Sequence, residues 1–187
     1  MNKKEIRKHH LKIRQEMSPT NVKDNSALIN DRILNLLNEF NSVKSIGLFY
    51  PYKNEVDVIL MALELEKRGL VCLLPKVINE HNPLKYFFYS PNSSNLEKGY
   101  GGIMEPTGNE TKDPDIIIAS CSAFNEKGYR VGYGGGFFDR TLSQLKHKKK
   151  IISILAAFEN QKTTYQFQDS YDEKVDYICT ENNTYQT

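Results

Sequence analysis

The chain has 187 residues, 39% of them hydrophobic and 26% charged, with a net charge of +2. This length suits one domain, 1–187, with a sizeable core, and the charge is too small to argue for nucleic acid. No apolar run reaches membrane-spanning length, and Cys72, Cys121 and Cys179, odd in number and without a C-x-x-C pair, exclude a disulfide framework and a zinc site.

Lys3 to Met17 is predicted as a helix that stops at Ser18-Pro19. No apolar stretch follows its basic start, as a signal peptide requires, so a cytoplasmic protein is expected. Lys3 and Arg7 sit one turn apart on one face, a spacing that suits two oxygens of one triphosphate. Lys4 and Lys8 share that spacing, and composition alone favours a solvated basic face. A second helix, Asn21 to Phe40, carries the stripe Ile29, Ile33, Leu36, Leu37 and Phe40, capped from Ser18 or Thr20.

Ser45 to Tyr50 is predicted as a strand, followed by a loop and a helix from Asp57 to Arg68 that ends at Gly69. Ligands in open α/β sheets bind beyond the carboxyl ends of strands, which places Glu55 near a ligand. A dipole role at a helix N-terminus explains Glu55 as well. Val71 to Pro75 is the next strand, and Lys85 to Tyr89 an edge strand. Ser90 to Asn95 is turn chemistry, and Gly99 to Pro106 a loop in which Glu105 takes no assigned role. Ile116 to Ala119 is a continuous apolar run, as a buried parallel strand should be. Cys121 has no histidine near it in sequence and is expected to be a packed thiol.

Gly128 to Arg140 holds five of the chain's eleven glycines. Phe137 to Leu145 is predicted as a helix with Phe138, Leu142 and Leu145 on one face. A glycine loop that opens a helix presents free N–H groups to phosphate, and a flexible surface loop is the alternative. The P-loop pattern is absent, and a dinucleotide loop starting at Gly132 would need its last glycine where Phe137 stands. Lys146 to Lys150 is a solvated connection, Ile151 to Ala157 a buried strand, and Asp172 a turn residue. Asp176 precedes a last strand, Tyr177 to Thr180. Strands alternating with helices imply a three-layer α/β/α fold with a mostly parallel sheet of Rossmann-like topology.

The run Ala123-Phe124-Asn125-Glu126-Lys127-Gly128, then Arg130-Val131-Gly132-Tyr133-Gly134-Gly135-Gly136-Phe137-Phe138-Asp139-Arg140, resembles the signature of the 5-formyltetrahydrofolate cyclo-ligase family, A-F-D-x-x-G-x-R-[LM]-G-x-G-x-G-[YF]-Y-D-R. The resemblance implies cyclisation of 5-formyltetrahydrofolate to 5,10-methenyltetrahydrofolate with ATP and Mg²⁺. It implies that Lys3, Arg7, Arg130, Gly132, Tyr133, Gly134, Gly135, Gly136, Phe137 and Phe138 contact ATP, with Lys3 and Arg140 catalytic. Tyr50, Glu55, Tyr133 and Phe137 are expected to hold the folate, and Asp139 and Asp176 the Mg²⁺. A monomer with no nucleic-acid or membrane partner is expected. The chain departs from the family pattern at Ala119-Ser120-Cys121, at Asn125, where the family has aspartate, and at Phe137-Phe138, where it commonly has two tyrosines. These departures define the alternative, a non-catalytic folate- or nucleotide-binding relative.

Overall fold

The structure, a computed structural model, describes residues 1–92 and 95–187. Two helices open the chain, α1 (Lys3–Gln15) and α2 (Pro19–Leu36). A reciprocal pair caps α1: Glu5 N donates to Asn2 Oδ1, and Asn2 N to Glu5 Oε2. Ser18, with Pro19 in the first turn, caps α2 by accepting from Asn21 N. The expected helix to Phe40 ends at Leu36 and continues as a 3₁₀ turn, Leu37–Glu39.

A seven-stranded sheet forms the centre, in the order β11-β10-β9-β6-β1-β2-β3. Its strands are β1 (Ser45–Gly47), β2 (Val71–Lys76), β3 (Lys85–Phe88), β6 (Ile116–Ala119), β9 (Ile152–Ala156), β10 (Tyr177–Cys179) and β11 (Thr184–Gln186). The five inner strands run parallel, and the edge strands β3 and β11 are antiparallel to their neighbours. Both faces are covered, so side chains alternate between two cores. Ile116 and Ile118 join one cluster with Ile29 and Ile33 of α2, while Ile117 and Ala119 join the other with Leu142 and Leu145 of α4 (Phe137–Lys148). The helix expected over 57–68 begins as a 3₁₀ turn, Val58–Met61, capped by Asp57, and continues as α3 (Ala62–Lys67).

Two hairpins stand where loops were expected. Leu96–Lys98 (β4) pairs with Met104–Pro106 (β5), and the Glu105 carboxylate accepts from Val77 N and Tyr100 N, which braces the turn between them. Ala123–Phe124 (β7) pairs with Arg130–Val131 (β8). Asn125 Oδ1 closes that turn by accepting from Lys127 N and Tyr129 N, at 3.1 and 3.2 Å. An aspartate accepts the same bonds, so this departure from the family pattern keeps the turn intact. Of the expected turn Ser90–Asn95, Ser93 and Ser94 lie outside the described residues.

Candidate active site

The sheet order reverses between β1 and β6, the place where open α/β sheets bind ligands. A cavity of about 330 Å³ opens there, at the carboxyl ends of the strands. Phe49 and Tyr50 beyond β1 line it, with Pro75 of β2, Ser120 beyond β6 and the far wall formed by Tyr133 and Phe137. Each of these residues leaves a strand or a loop at the same edge, which is why distant parts of the sequence meet.

The glycine loop forms the rim. Gly134 has φ +106° and Gly136 φ +67°, the left-handed region that only glycine enters at little cost. The site of an added Cβ on Gly134 lies 3.5 Å from the Arg7 guanidinium, so the loop backbone lies close against that cation. Gly136 starts α4 without a side-chain cap, which leaves the first N–H groups of that helix facing outward with the positive end of its dipole.

Helix α1 meets this loop along one face. Lys3, Arg7 and Arg14 fall within about 40° of one another around the helix axis. Arg7 Nε donates to the Gly132 carbonyl at 2.6 Å. Lys3 Nζ is 2.7 Å from both Asp169 and Asp172. Lys4 and Lys8 are exposed, and Lys3 and Arg7 are the pair on the face that meets other segments of the chain.

Glu55 lies at the base of the cavity, 5% exposed. Its Oε2 accepts from Tyr52 N at 2.9 Å, and its Oε1 is buried with no hydrogen-bond partner. Burial pushes its carboxyl above the usual range. The Arg14 charge, the Tyr52 N–H and the Ser120 and Tyr133 hydroxyls oppose that rise. Arg14 Nη1 stands 3.9 Å away. Tyr133 is 41% exposed, yet its hydroxyl reaches inward to accept from Arg14 Nη2; burial pushes that hydroxyl's pKa upward.

Comparison with known proteins decides the family. The profile of the 5-formyltetrahydrofolate cyclo-ligase family matches residues 1–181. The chain belongs to the 5-formyltetrahydrofolate cyclo-ligase family. It is 27% identical over 179 residues to the 5-formyltetrahydrofolate cyclo-ligase of Mycoplasma pneumoniae, covering 95% of this chain and 98% of that protein. It is 51% identical over 113 residues to the Escherichia coli K12 cyclo-ligase, covering 56% of this chain and 60% of that one. Its structure is similar to that of Aquifex aeolicus 5,10-methenyltetrahydrofolate synthetase, with a TM-score of 0.82, 30% identity, and 100% and 93% of the two chains covered. It is also similar to the Mycoplasma pneumoniae synthetase, with a TM-score of 0.77, 25% identity, and 97% and 99% covered.

Within this cyclo-ligase the expected site residues divide. Tyr50, Glu55, Gly132, Tyr133, Gly135, Gly136, Phe137, Phe138, Arg130 and Asp139 all line the cavity. Arg130 is committed to the protein: Nη1 donates to the Glu173 carbonyl and Nη2 to Asp139 Oδ1, each at 2.9 Å. Phe138 turns partly into the core beneath the Arg130 guanidinium, and Phe137 meets the Tyr100 ring edge-on.

Lys3, Arg7 and Gly134 are absent from the cavity wall, Arg7 meeting it through the Gly132 carbonyl, and two further residues stand elsewhere than the sequence led us to expect. Asp176 sits at the amino ends of β9 and β10, where its Oδ2 accepts from Ser153 N at 2.7 Å and Ser153 Oγ at 2.6 Å. That is the opposite edge of the sheet from the cavity, so Asp176 splices two strands and does not join Asp139. Arg140 donates to the carbonyls of Glu80 and Asn82 and stacks over Phe137, and it is absent from the cavity wall. Its side chain anchors the 80–82 segment.

Sequence reasoning missed Arg14, Tyr52 and Ser120 as parts of the site, and it read Asp172 as a turn residue. Asp172 does accept from Asp169 N in reverse, closing a turn, but its carboxylate also faces Lys3. The available signal for Arg14 was its place on the Lys3–Arg7 face, masked by the many other cations of that helix. Cys121 is inert as expected: its thiol is buried and pushed up to about 12, and its carbonyl takes bonds from Arg14 and Gln161.

Proposed function

We propose that this chain closes 5-formyltetrahydrofolate to 5,10-methenyltetrahydrofolate, using Mg-ATP and giving ADP and phosphate. The observation that carries this reading is Glu55, a buried carboxyl on the wall of a cavity rimmed by a glycine loop, whose Oε1 lacks a direct hydrogen bond and faces the Arg14 guanidinium at 3.9 Å. Such an oxygen calls for a ligand that brings N–H donors, as a reduced pterin does. The names of the relatives, 5-formyltetrahydrofolate cyclo-ligase and 5,10-methenyltetrahydrofolate synthetase, support the same assignment.

The formyl group is an amide, and its oxygen leaves poorly. It must be phosphorylated before N10 can attack the carbon and phosphate can depart. Phosphoryl transfer of this kind needs positioning and charge neutralisation more than covalent help from the protein. Glu55 and Tyr50 orient the pterin, with Phe137 and Tyr133 as ring faces at the mouth. The Gly132–Gly136 backbone and the start of α4 supply N–H groups for the triphosphate, and Arg7 and Lys3 supply cations.

Mg²⁺ fits the Asp139 carboxylate at this rim. Both protein bonds of Asp139 fall on Oδ1, whereas both oxygens of Asp172 are engaged by Lys3 and by Asp169 N. Asp139 would hold the ion through Oδ2, since Mg²⁺ takes one or two carboxylates beside phosphate oxygens and water. When bound, it neutralises charge that develops on the phosphates. The reducing cytoplasm suits three buried free thiols, and we place the protein there as a monomer.

The test is the growth of methenyl absorbance from 5-formyltetrahydrofolate with purified protein. Product that forms only with Mg-ATP supports the reading. No product from folded protein with both substrates present overturns it.

A further inference from the structure

We propose that Arg14 is a positioning residue that joins the folate carboxylate to the phosphate loop, so that each substrate prepares the pocket for the other. The inference rests on the reading of Glu55 as a folate ligand and of the glycine loop as a triphosphate cradle.

Arg14 is 1% exposed, an unusual place for a guanidinium, and each of its nitrogens is engaged. Nε donates to the Lys53 carbonyl at 3.1 Å, Nη1 to the Cys121 carbonyl at 2.8 Å, and Nη2 to the Tyr133 hydroxyl. Nη1 also faces Glu55 Oε1 at 3.9 Å. These partners belong to three segments: the turn after β1, the end of β6, and the glycine loop. One planar fork therefore spans the switch point of the sheet and reaches the loop beyond it. A lysine is a point charge on a flexible stem and cannot hold three directions at once.

The same helix holds the loop a second time, through Arg7 and the Gly132 carbonyl. Gly132 and Tyr133 are adjacent, so α1 fixes consecutive residues of the loop with two guanidinium groups. A folate that engages Glu55 sets the carboxylate against Arg14. Arg14 in turn sets Tyr133, and with it the backbone N–H groups that face the triphosphate. Linkage makes the effect reciprocal: the triphosphate must favour folate by the same factor.

The test measures equilibrium binding of 5-formyltetrahydrofolate and of a non-hydrolysable ATP analogue with Mg²⁺, each alone and with the other saturating. In the wild type each ligand is expected to raise the other's affinity by about tenfold. In Arg14→Lys and in Tyr133→Phe the mutual effect is expected to shrink to about twofold or less. Tyr133→Phe keeps an exposed ring and leaves the buried guanidinium in place, so it serves where an Arg14 variant fails to fold. A second readout is the pH dependence of folate binding. The groups facing Glu55 are Arg14 of α1, the Tyr52 N–H, and the Ser120 and Tyr133 hydroxyls, with the Cys121 thiol within electrostatic reach. Loss of the Arg14 charge in Arg14→Gln moves the acidic limb of folate binding to higher pH, and Arg14→Lys restores that limb without restoring the mutual effect. A purely structural arginine would lower thermal stability without this split. Folded Arg14→Lys and Tyr133→Phe with undiminished mutual effects overturn the inference alone, as does a wild type that binds both ligands independently. A wild type that binds neither overturns the functional reading as well.

Discussion

Arg7 Nε donates to the Gly132 carbonyl at 2.6 Å, so the first helix of the chain holds a loop from its last third. The bond orients the loop backbone and leaves a cation at the rim. Removing it in Arg7→Ala should cost about 1–2 kcal/mol of stability, since Ile6 still anchors α1 in its own small core. The apparent KM for ATP should rise about tenfold or more, because a charge-assisted phosphate contact is lost as well. Initial rates at varied ATP check this. Lys4→Ala and Lys8→Ala, on the exposed side of α1, should leave that KM within about twofold.

Asp139 and Asp176 should separate under mutation. Asp139→Asn keeps a hydrogen-bond acceptor for Arg130 but removes a charge at the rim, so turnover and its Mg²⁺ dependence should suffer far more than the melting temperature. Asp176→Ala removes the acceptor for Ser153 N and Oγ and should cost about 2 kcal/mol of stability. The Mg²⁺ concentration for half-maximal rate should not change in Asp176→Ala. A shift there, with the fold intact, would restore Asp176 as a metal ligand.

Glu55→Gln keeps the shape of the carboxylate and offers one acceptor and one donor group. It should weaken 5-formyltetrahydrofolate by about tenfold or more, through the lost charge on the acceptor and the donor turned toward a site that needs none. It should also leave the Arg14 guanidinium without its facing charge. Binding of each ligand alone is the measurement: a large loss for folate and little change for the ATP analogue, with the mutual effect of the two reduced.

Asp115 predicts the acid limit of the fold. Burial alone would raise its pKa. Lys149 and the Lys44 and Ser45 groups win, and its carboxyl is lowered to about 2. A depressed carboxyl contributes stability above its unfolded pKa, near 4, and loses it as pH falls toward 2. After discounting for solvent screening, the contribution is about 1 kcal/mol. Urea midpoints measured between pH 5 and pH 2 should converge for wild type and Asp115→Asn at the acid end and differ at the neutral end.

The parallel strands were legible because burial on both faces leaves an unbroken apolar run. Ile116 to Ala119 and Ile151 to Ala157 could be read for that reason, the second only one residue too long at each end. The glycine loop was legible because φ values such as that of Gly134 narrow the choice of residue to one. The β7–β8 pair was not legible, since two residues per strand carry no period and Asn125 does the work of the turn. The edge strand β11 was missed for a similar reason: Thr184 and Gln186 are exposed and carry no hydrophobic signal.

Sequence by itself determined the order of helices and parallel strands, the glycine loop and the family, because each rests on local backbone preference or on a run of adjacent residues. Tertiary structure alone decided which charges belong to the site. Asp172 and Asp176 are four residues apart, and only the course of the segment leading into β10 sends one to the Lys3 side and the other to the far edge. Arg140 and Arg14 look alike as arginines on helices, yet Arg140 anchors a surface loop and Arg14 lies beneath the cavity beside Glu55. A side chain's partners depend on how separate segments converge in space, and that convergence is set by packing of the whole sheet rather than by any stretch of neighbours.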